Sequence, residues 1–340
     1  MEFEPMTAVK DFHSLERLEL HGLEELSQIR VEDLQPDTNS SLKVLDVDTC
    51  PHLQMINFTG KCQHLEELRI RNCKQWREFS FSDSCNLESL KVMEVDTCHS
   101  LSRVFLWPRL QHIEEIKIRN CEHLAELKFW KTSAPESLKV LDVHTCPVLR
   151  NVSFPPQLAL HHNLEEIKIR NCEQFVGIKM GEYNSRVTLS RLQRLELHGL
   201  HNLNSIYSGV LVCDSLRTID VWGCPRMTRL PLYLGGGNIQ PSAPPALKEI
   251  KGGKEWWDSL VWDHPEAKTL LQHLFKDVVV PTPSPSQKPI SKAARKAGIY
   301  FTNFDTQHDV SIAVLQDCHL PAPVPVPVPV KMATQRLTSA

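Results

Sequence analysis

The stretch LKVLDVDTC (42–50) recurs along the chain, and its reading decides the fold. The frame returns as LEELRIRNC (65–73), LKVMEVDTC (90–98), IEEIKIRNC (113–121), LKVLDVHTC (138–146), LEEIKIRNC (164–172) and LRTIDVWGC (216–224). Two more copies, LERLELHGL (15–23) and LQRLELHGL (192–200), carry leucine in place of the cysteine. Positions 1, 4 and 6 of each unit are apolar. A second apolar pair follows: Leu53/Ile56, Trp76/Phe79, Leu101/Val104, Leu124/Leu127, Leu149/Val152, Phe175/Ile178, Leu203/Ile206 and Met227/Leu230. Successive units start 23 to 28 residues apart. The alternation of period two predicts a short strand with one buried face. A unit this small cannot bury its leucines alone, so the copies must stack.

That period, with LxxLxLxx(N/C), is the pattern of leucine-rich repeats. The expected fold is an α/β-type solenoid, a leucine-rich-repeat horseshoe. It has a parallel concave β-sheet, an irregular convex side, a helical Trp-rich C-terminal cap and a disordered tail. Segments such as 57–64 and 180–189 are assigned to the irregular side. The cysteine should turn inward just after the strand, where a small apolar side chain fits and its S–H weakly satisfies a turn carbonyl. A thiol buried there is inert.

The outward positions of successive strands read Asp46/Asp48, Arg69/Arg71, Glu94/Asp96, Lys117/Arg119, Asp142/His144, Lys168/Arg170, Glu196/His198 and Asp220/Trp222. Acidic and basic rungs alternate, so the solenoid has a super-period of two repeats. Neighbouring strands lie roughly 4.8 Å apart and their same-face side chains can pair. One reading is a self-neutralising ion-pair network. The other is a polar concave surface for a protein partner, and these sixteen residues are its candidate binding face. The two readings coexist, because an exposed pair contributes only about 0–1 kcal/mol and is exchangeable on binding.

Beyond Leu230 the character changes. GGGNIQPSAPPA (235–246) is a loop, LKEIKG (247–252) a partial last repeat, and KEWWDSLVWDHPEAKTLLQHLF (254–275) a cap. Pro265 suits a first helical turn with Asp263 or His264 as the cap residue. Ala267, Leu270, Leu271, Leu274 and Phe275 fall on one helical face, and Trp256, Trp257 and Trp262 add apolar surface. The expected organisation is a lead-in (1–14), about nine to ten repeats (15–252), the cap (253–280) and a Pro-rich tail (281–340) containing PAPVPVPVPV (321–330).

Composition narrows the function classes. The 340 residues hold 38 Lys+Arg against 41 Asp+Glu, a formal net charge of -3, which gives no reason to expect nucleic acid as partner. No run approaches the about 18 apolar residues of a membrane span, and the acidic start lacks a secretory apolar region. The 11 cysteines show no zinc-like spacing. No GxSxG, HExxH or paired-carboxylate motif stands out. No catalytic, cofactor-binding or metal-binding residue and no cofactor is expected. The chain reads as cytoplasmic, with KAARKAG (292–298) a short basic patch whose readings are a solvated stretch, as such patches usually are, or a weak nuclear or anionic-surface signal.

The LKVLDVxTCPxL and LEEIKIRNCxxL units, with IKGGKEWWDSLVWD (250–263) after the last repeat, resemble the C-terminal leucine-rich-repeat region of plant disease-resistance proteins of the coiled-coil, nucleotide-binding (NB-ARC) type. The resemblance covers roughly residues 12–276. It implies a protein-binding module in plant innate immunity, recognising a pathogen effector or guarded host protein, or regulating a nucleotide-binding switch in cis or in trans. The family's GxxxxGK[ST] phosphate loop is not in this sequence. The chain therefore carries the sensing part at most, as a stand-alone module or a fragment of a longer receptor. The alternative is a generic adaptor scaffold, such as the substrate reader of a ubiquitin ligase. In such adaptors an I-T-D-like stretch follows the cysteine, whereas PHL, EHL and EQF follow Cys50, Cys121 and Cys172 here.

Overall fold

The computed structural model describes residues 15–31, 42–58, 62–81, 85–106, 110, 112–129, 137–154, 163–180, 184–235, 242–264 and 266–278. All of them fall within one unit, Met1–Pro281. The expected lead-in (1–14) and tail (281–340), and Pro265, lie outside the described residues.

Most repeats fold as a pair of short strands. In chain order these are β1 (Arg17–His21), β2 (Gln28–Arg30), β3 (Val44–Asp48), β4 (Met55–Phe58), β5 (Glu67–Arg71), β6 (Glu78–Phe81), β7 (Val92–Asp96) and β8 (Arg103–Leu106). They continue as β9 (Glu115–Arg119), β10 (Glu126–Phe129), β11 (Val140–His144), β12 (Asn151–Ser153), β13 (Glu166–Arg170) and β14 (Gly177–Lys179). The last are β15 (Arg186–Thr188), β16 (Arg194–His198), β17 (Val210–Val212), β18 (Thr218–Trp222), β19 (Glu249–Gly252) and β20 (Phe275–Asp277).

The first strand of each repeat joins one parallel sheet of eleven strands, ordered β1-β3-β5-β7-β9-β11-β13-β16-β18-β19-β20. Its register aligns like positions of successive units, so Leu45 lies beside Leu68 and Leu141 beside Ile167. Positions 4 and 6 form the core beneath it: Leu45, Val47, Leu141 and Val143 are fully buried. Burying each such side chain contributes about 1.5–3 kcal/mol before chain entropy is counted.

The side of the coils is more regular than the sequence suggests. After each cysteine or its leucine equivalent, a turn closes by a hydrogen bond of 3.0–3.4 Å from the N–H three residues on, as from Leu53 to Cys50 and from Met227 to Cys224. The second member of the apolar pair then enters a short strand in six units, from Ile56 in β4 to Ile178 in β14. With β2 these build the parallel sheets β2-β4-β6 and β14-β12-β10-β8, while β15 and β17, outside that frame, form a third. The segment 180–189, expected to be irregular, thus contains β15. Its Val187 alternates inward between exposed Arg186 and half-buried Thr188, as a strand requires.

The C-terminal cap also departs from expectation. Helix α1 (Lys254–Ser259) carries the first two tryptophans, and α2 (Ala267–Leu271) is a single turn followed by a 3-10 turn, Gln272–Leu274. The helical face anticipated through Phe275 stops early, because Phe275 opens β20, opposite Ile250, and stacks on Trp257 with ring centroids 4.6 Å apart. The helix cap position falls to Glu266, whose N–H donates to His264 Nδ1 at 3.3 Å, while Asp263 pairs with Arg229 at 2.9 Å. The cap therefore lengthens the main sheet by one strand.

Candidate protein-recognition surface

The open face of the main sheet is organised by the residue just before each cysteine or its leucine equivalent. Gly22, Thr49, Asn72, Thr97, Asn120, Thr145, Asn171, Gly199 and Gly223 all have φ between +52° and +65°. This left-handed step, which favours Gly or Asn, swings the next residue into the core in every unit but the first, where Leu23 stays exposed. Its N–H still donates to the carbonyl of the neighbouring strand, from Gly22 to Asp48 through Gly199 to Trp222, at 2.8–3.1 Å. All seven frame cysteines donate S–H to the carbonyl two residues back at 3.2–3.6 Å.

Thr and Asn alternate at this step for a chemical reason. Asp48 accepts from the Thr49 hydroxyl at 3.0 Å and from the Asn72 amide of the next coil at 2.8 Å. Asp96 accepts from Thr97 and Asn120, each at 2.8 Å. Where the third such carboxylate would stand, His144 Nε2 takes the Asn171 amide at 3.0 Å. Burial works against the Asp48 charge, yet the bonds from Asn72 and Thr49 and the nearby Arg71 hold its pKa below the usual carboxylate value. Burial, reinforced by Arg170, lowers the pKa of His144, so the ring is neutral at neutral pH and suits an acceptor role.

The candidate charges pair across and along the strands. Arg71 forks onto Asp46 at 2.8 and 2.9 Å, Arg119 reaches Asp142 at 2.9 Å, and Arg170 reaches Glu196 at 2.5 Å. Lys117 pairs with Glu115 of its own strand, and Lys168 with Glu166 at 2.5 Å. Arg69 lies 2.7 Å from Glu67 and 3.7 Å from Glu94. A second ladder, at position 2, was not singled out in the sequence: Lys43–Glu16 at 2.9 Å, with Lys91–Glu66 and Lys139–Glu114 at 2.7 Å. The same two-repeat alternation of Lys and Glu would have found it.

Two of the outward positions are not open. Asp46 is only 6% exposed and Asp142 7%, because each short carboxylate is covered by the longer arginines on adjacent strands. Asp142 keeps one oxygen, Oδ1, without a hydrogen bond. Towards the C-terminus the ladder gives way to rings. His198 and Trp222 sit side by side in register with centroids 4.7 Å apart. His198 Nε2 is 3.2 Å from Asp220 but not aligned to hydrogen-bond with it. Beyond them the step is occupied by bare Gly199 and Gly223, and a Cβ on Gly223 would meet the Gly199 backbone at 3.2 Å.

Among the described residues no cluster of His, Cys, Asp and Glu is arranged to hold a metal, and no helix is long and apolar enough to cross a membrane. Residues 124–231 match the family model described as Plant disease resistance protein RPS2-like, leucine-rich repeats. Over that segment the repeats are similar to those of plant disease-resistance proteins.

Disease resistance protein At4g27190 of Arabidopsis thaliana is 33% identical over 116 residues, which is 34% of this chain and 11% of that protein. The match thus spans a small part of that relative's length. Among solved structures, that of the pneumococcal vaccine antigen PcpA covers 79% of this chain and 80% of its own, at 13% identity and a TM-score of 0.19, too slight a likeness to add to the fold. The matched segment contains β10 through β18, and with them Asp142, His144, Lys168, Arg170, Glu196, His198, Asp220 and Trp222.

Proposed function

We propose that the open face of the main sheet, from β11 to β18, is a protein-recognition surface serving plant defence. It takes a pathogen or guarded host protein, or docks on a nucleotide-binding module that it regulates, inside the cell and without catalysis. The observation that carries this reading is the coincidence of two things in one segment. Residues 124–231 bear the disease-resistance signature, and there the ladder departs from its acid–base alternation into His144, His198 and the half-buried Trp222. Trp and Arg are the residues that most often anchor protein interfaces. The pre-paired charges around them are already oriented and lose little freedom on binding.

The test begins with a partner captured in plant tissue by proximity labelling and then purified. Charge reversal at Lys168 and Arg170 would line up new carboxylates beside Glu166, Asp142 and Glu196, so neutral replacements are cleaner. K168Q/R170Q and Trp222→Ala should each weaken the complex by about tenfold or more with melting little changed. Wild-type affinity in both variants would mean that this face serves only the solenoid's own stability.

A further inference from the structure

We propose that Cys62 and Cys85 are a peroxide-sensitive thiol pair that closes to a disulfide between successive coils. Neither belongs to the cysteine column of the main sheet. They follow the side strands β4 and β6, whose last residues Phe58 and Phe81 are partners in register, and each cysteine lies four residues beyond its strand. They are 23 residues apart, the same step that separates the units starting at 42 and 65. The two cysteines therefore occupy equivalent places on adjacent coils, and the neighbouring Cys85 side chain together with burial pushes the Cys62 thiol pKa up. Coils at the roughly 4.8 Å spacing of parallel strands bring Cα atoms into the roughly 4.4–6.8 Å window that a disulfide needs.

Access singles out this pair. In the frame, the neighbouring Cys146 side chain raises the Cys121 thiol pKa in the same way, but both are fully buried and both donate to backbone carbonyls. Cys85 is 8% exposed, more than any other described cysteine, and Cys62 is 1% exposed. A small oxidant reaches Cys85 first. Its thiolate attacks hydrogen peroxide, breaking the O–O bond and giving a sulfenic acid and hydroxide, which is protonated to water. The Cys62 sulfur, losing its proton to solvent, then attacks the sulfenic sulfur and expels a second water. Two thiols are oxidised by two electrons in all, and one peroxide is reduced to two waters.

The experiment treats the native full-length chain with equimolar hydrogen peroxide at neutral pH, blocks remaining thiols with iodoacetamide, and maps the unreduced digest by mass spectrometry. The expected product is a Cys62–Cys85 cross-linked peptide, removed by dithiothreitol, with the frame cysteines alkylated only after unfolding. Cys62→Ser should trap Cys85 as a dimedone-reactive sulfenic acid, and Cys85→Ser should abolish both products while far-UV circular dichroism is unchanged. Cross-links among frame cysteines instead, or dimedone labelling of Cys85 in the wild type without a disulfide, would overturn the proposal.

Discussion

Asp48 shows how much of this face is decided by single side chains. Its carboxylate collects a hydroxyl from its own coil and an amide from the next, so DTC and RNC are two halves of one device. The alternation of Thr and Asn follows, since Thr serves its own aspartate and Asn serves the preceding one. Removing the acceptor in Asp48→Ala should cost about 1–2 kcal/mol in urea unfolding, because two donors lose a charged partner. The pH dependence has a defined sign. Asp48 has a lowered pKa, so its contribution is present above the ordinary carboxylate value of 3.8 and is lost as pH falls below it. His144 also has a lowered pKa, so the unfolded chain takes up its proton first, and stability falls as pH drops through the ordinary histidine value of 6.5. In a melting series, His144→Asn should flatten the profile between neutral pH and the carboxylate range, and Asp48→Asn the profile below it. A wild-type slope in both variants would contradict this assignment.

At the scale of elements, the IKGG segment before the tryptophans has a steric reason. A Cβ at Gly252 would come within 2.4 Å of the Trp256 ring and 2.9 Å of the Val221 carbonyl. Gly252→Ala should therefore destabilise the cap by about 1–3 kcal/mol, seen as faster amide exchange over 254–277 with β1 to β16 unchanged. Protection equal to wild type would show that Trp256 does not seat against the last repeat. The main strands were legible in the sequence because period two is strict at positions 4 and 6 and the register aligns every copy. The side strands were not, since Met55–Phe58 and Arg186–Thr188 are only three or four residues long and their partners lie one coil away. β20 escaped for a similar reason: Ala267, Leu271 and Phe275 have helical spacing, whereas Phe275 pairs with Ile250 of β19 and stacks on Trp257. The candidate face was legible as a charge pattern. Which charges are covered was not, because the burial of Asp46 and Asp142 depends on arginines from neighbouring coils.

Across the whole molecule, the eleven-stranded sheet turns a linear pattern of like residues into columns. Those columns are nearly self-neutral from β3 to β13 and change to rings and bare glycines at β16 and β18. Arg229 ties the far end together, donating to the Ser208 and Gly209 carbonyls at 2.9 Å and pairing with Asp263 of the cap. The proposed recognition surface requires a frame that keeps the spacing of its face on binding. Hydrogen–deuterium exchange of the chain, alone and with its purified partner, tests that claim most directly. Protection should concentrate at the strand ends and left-handed steps around His144, Arg170, His198 and Trp222, with the side sheets unchanged. Protection confined to the side strands or to the cap would contradict it.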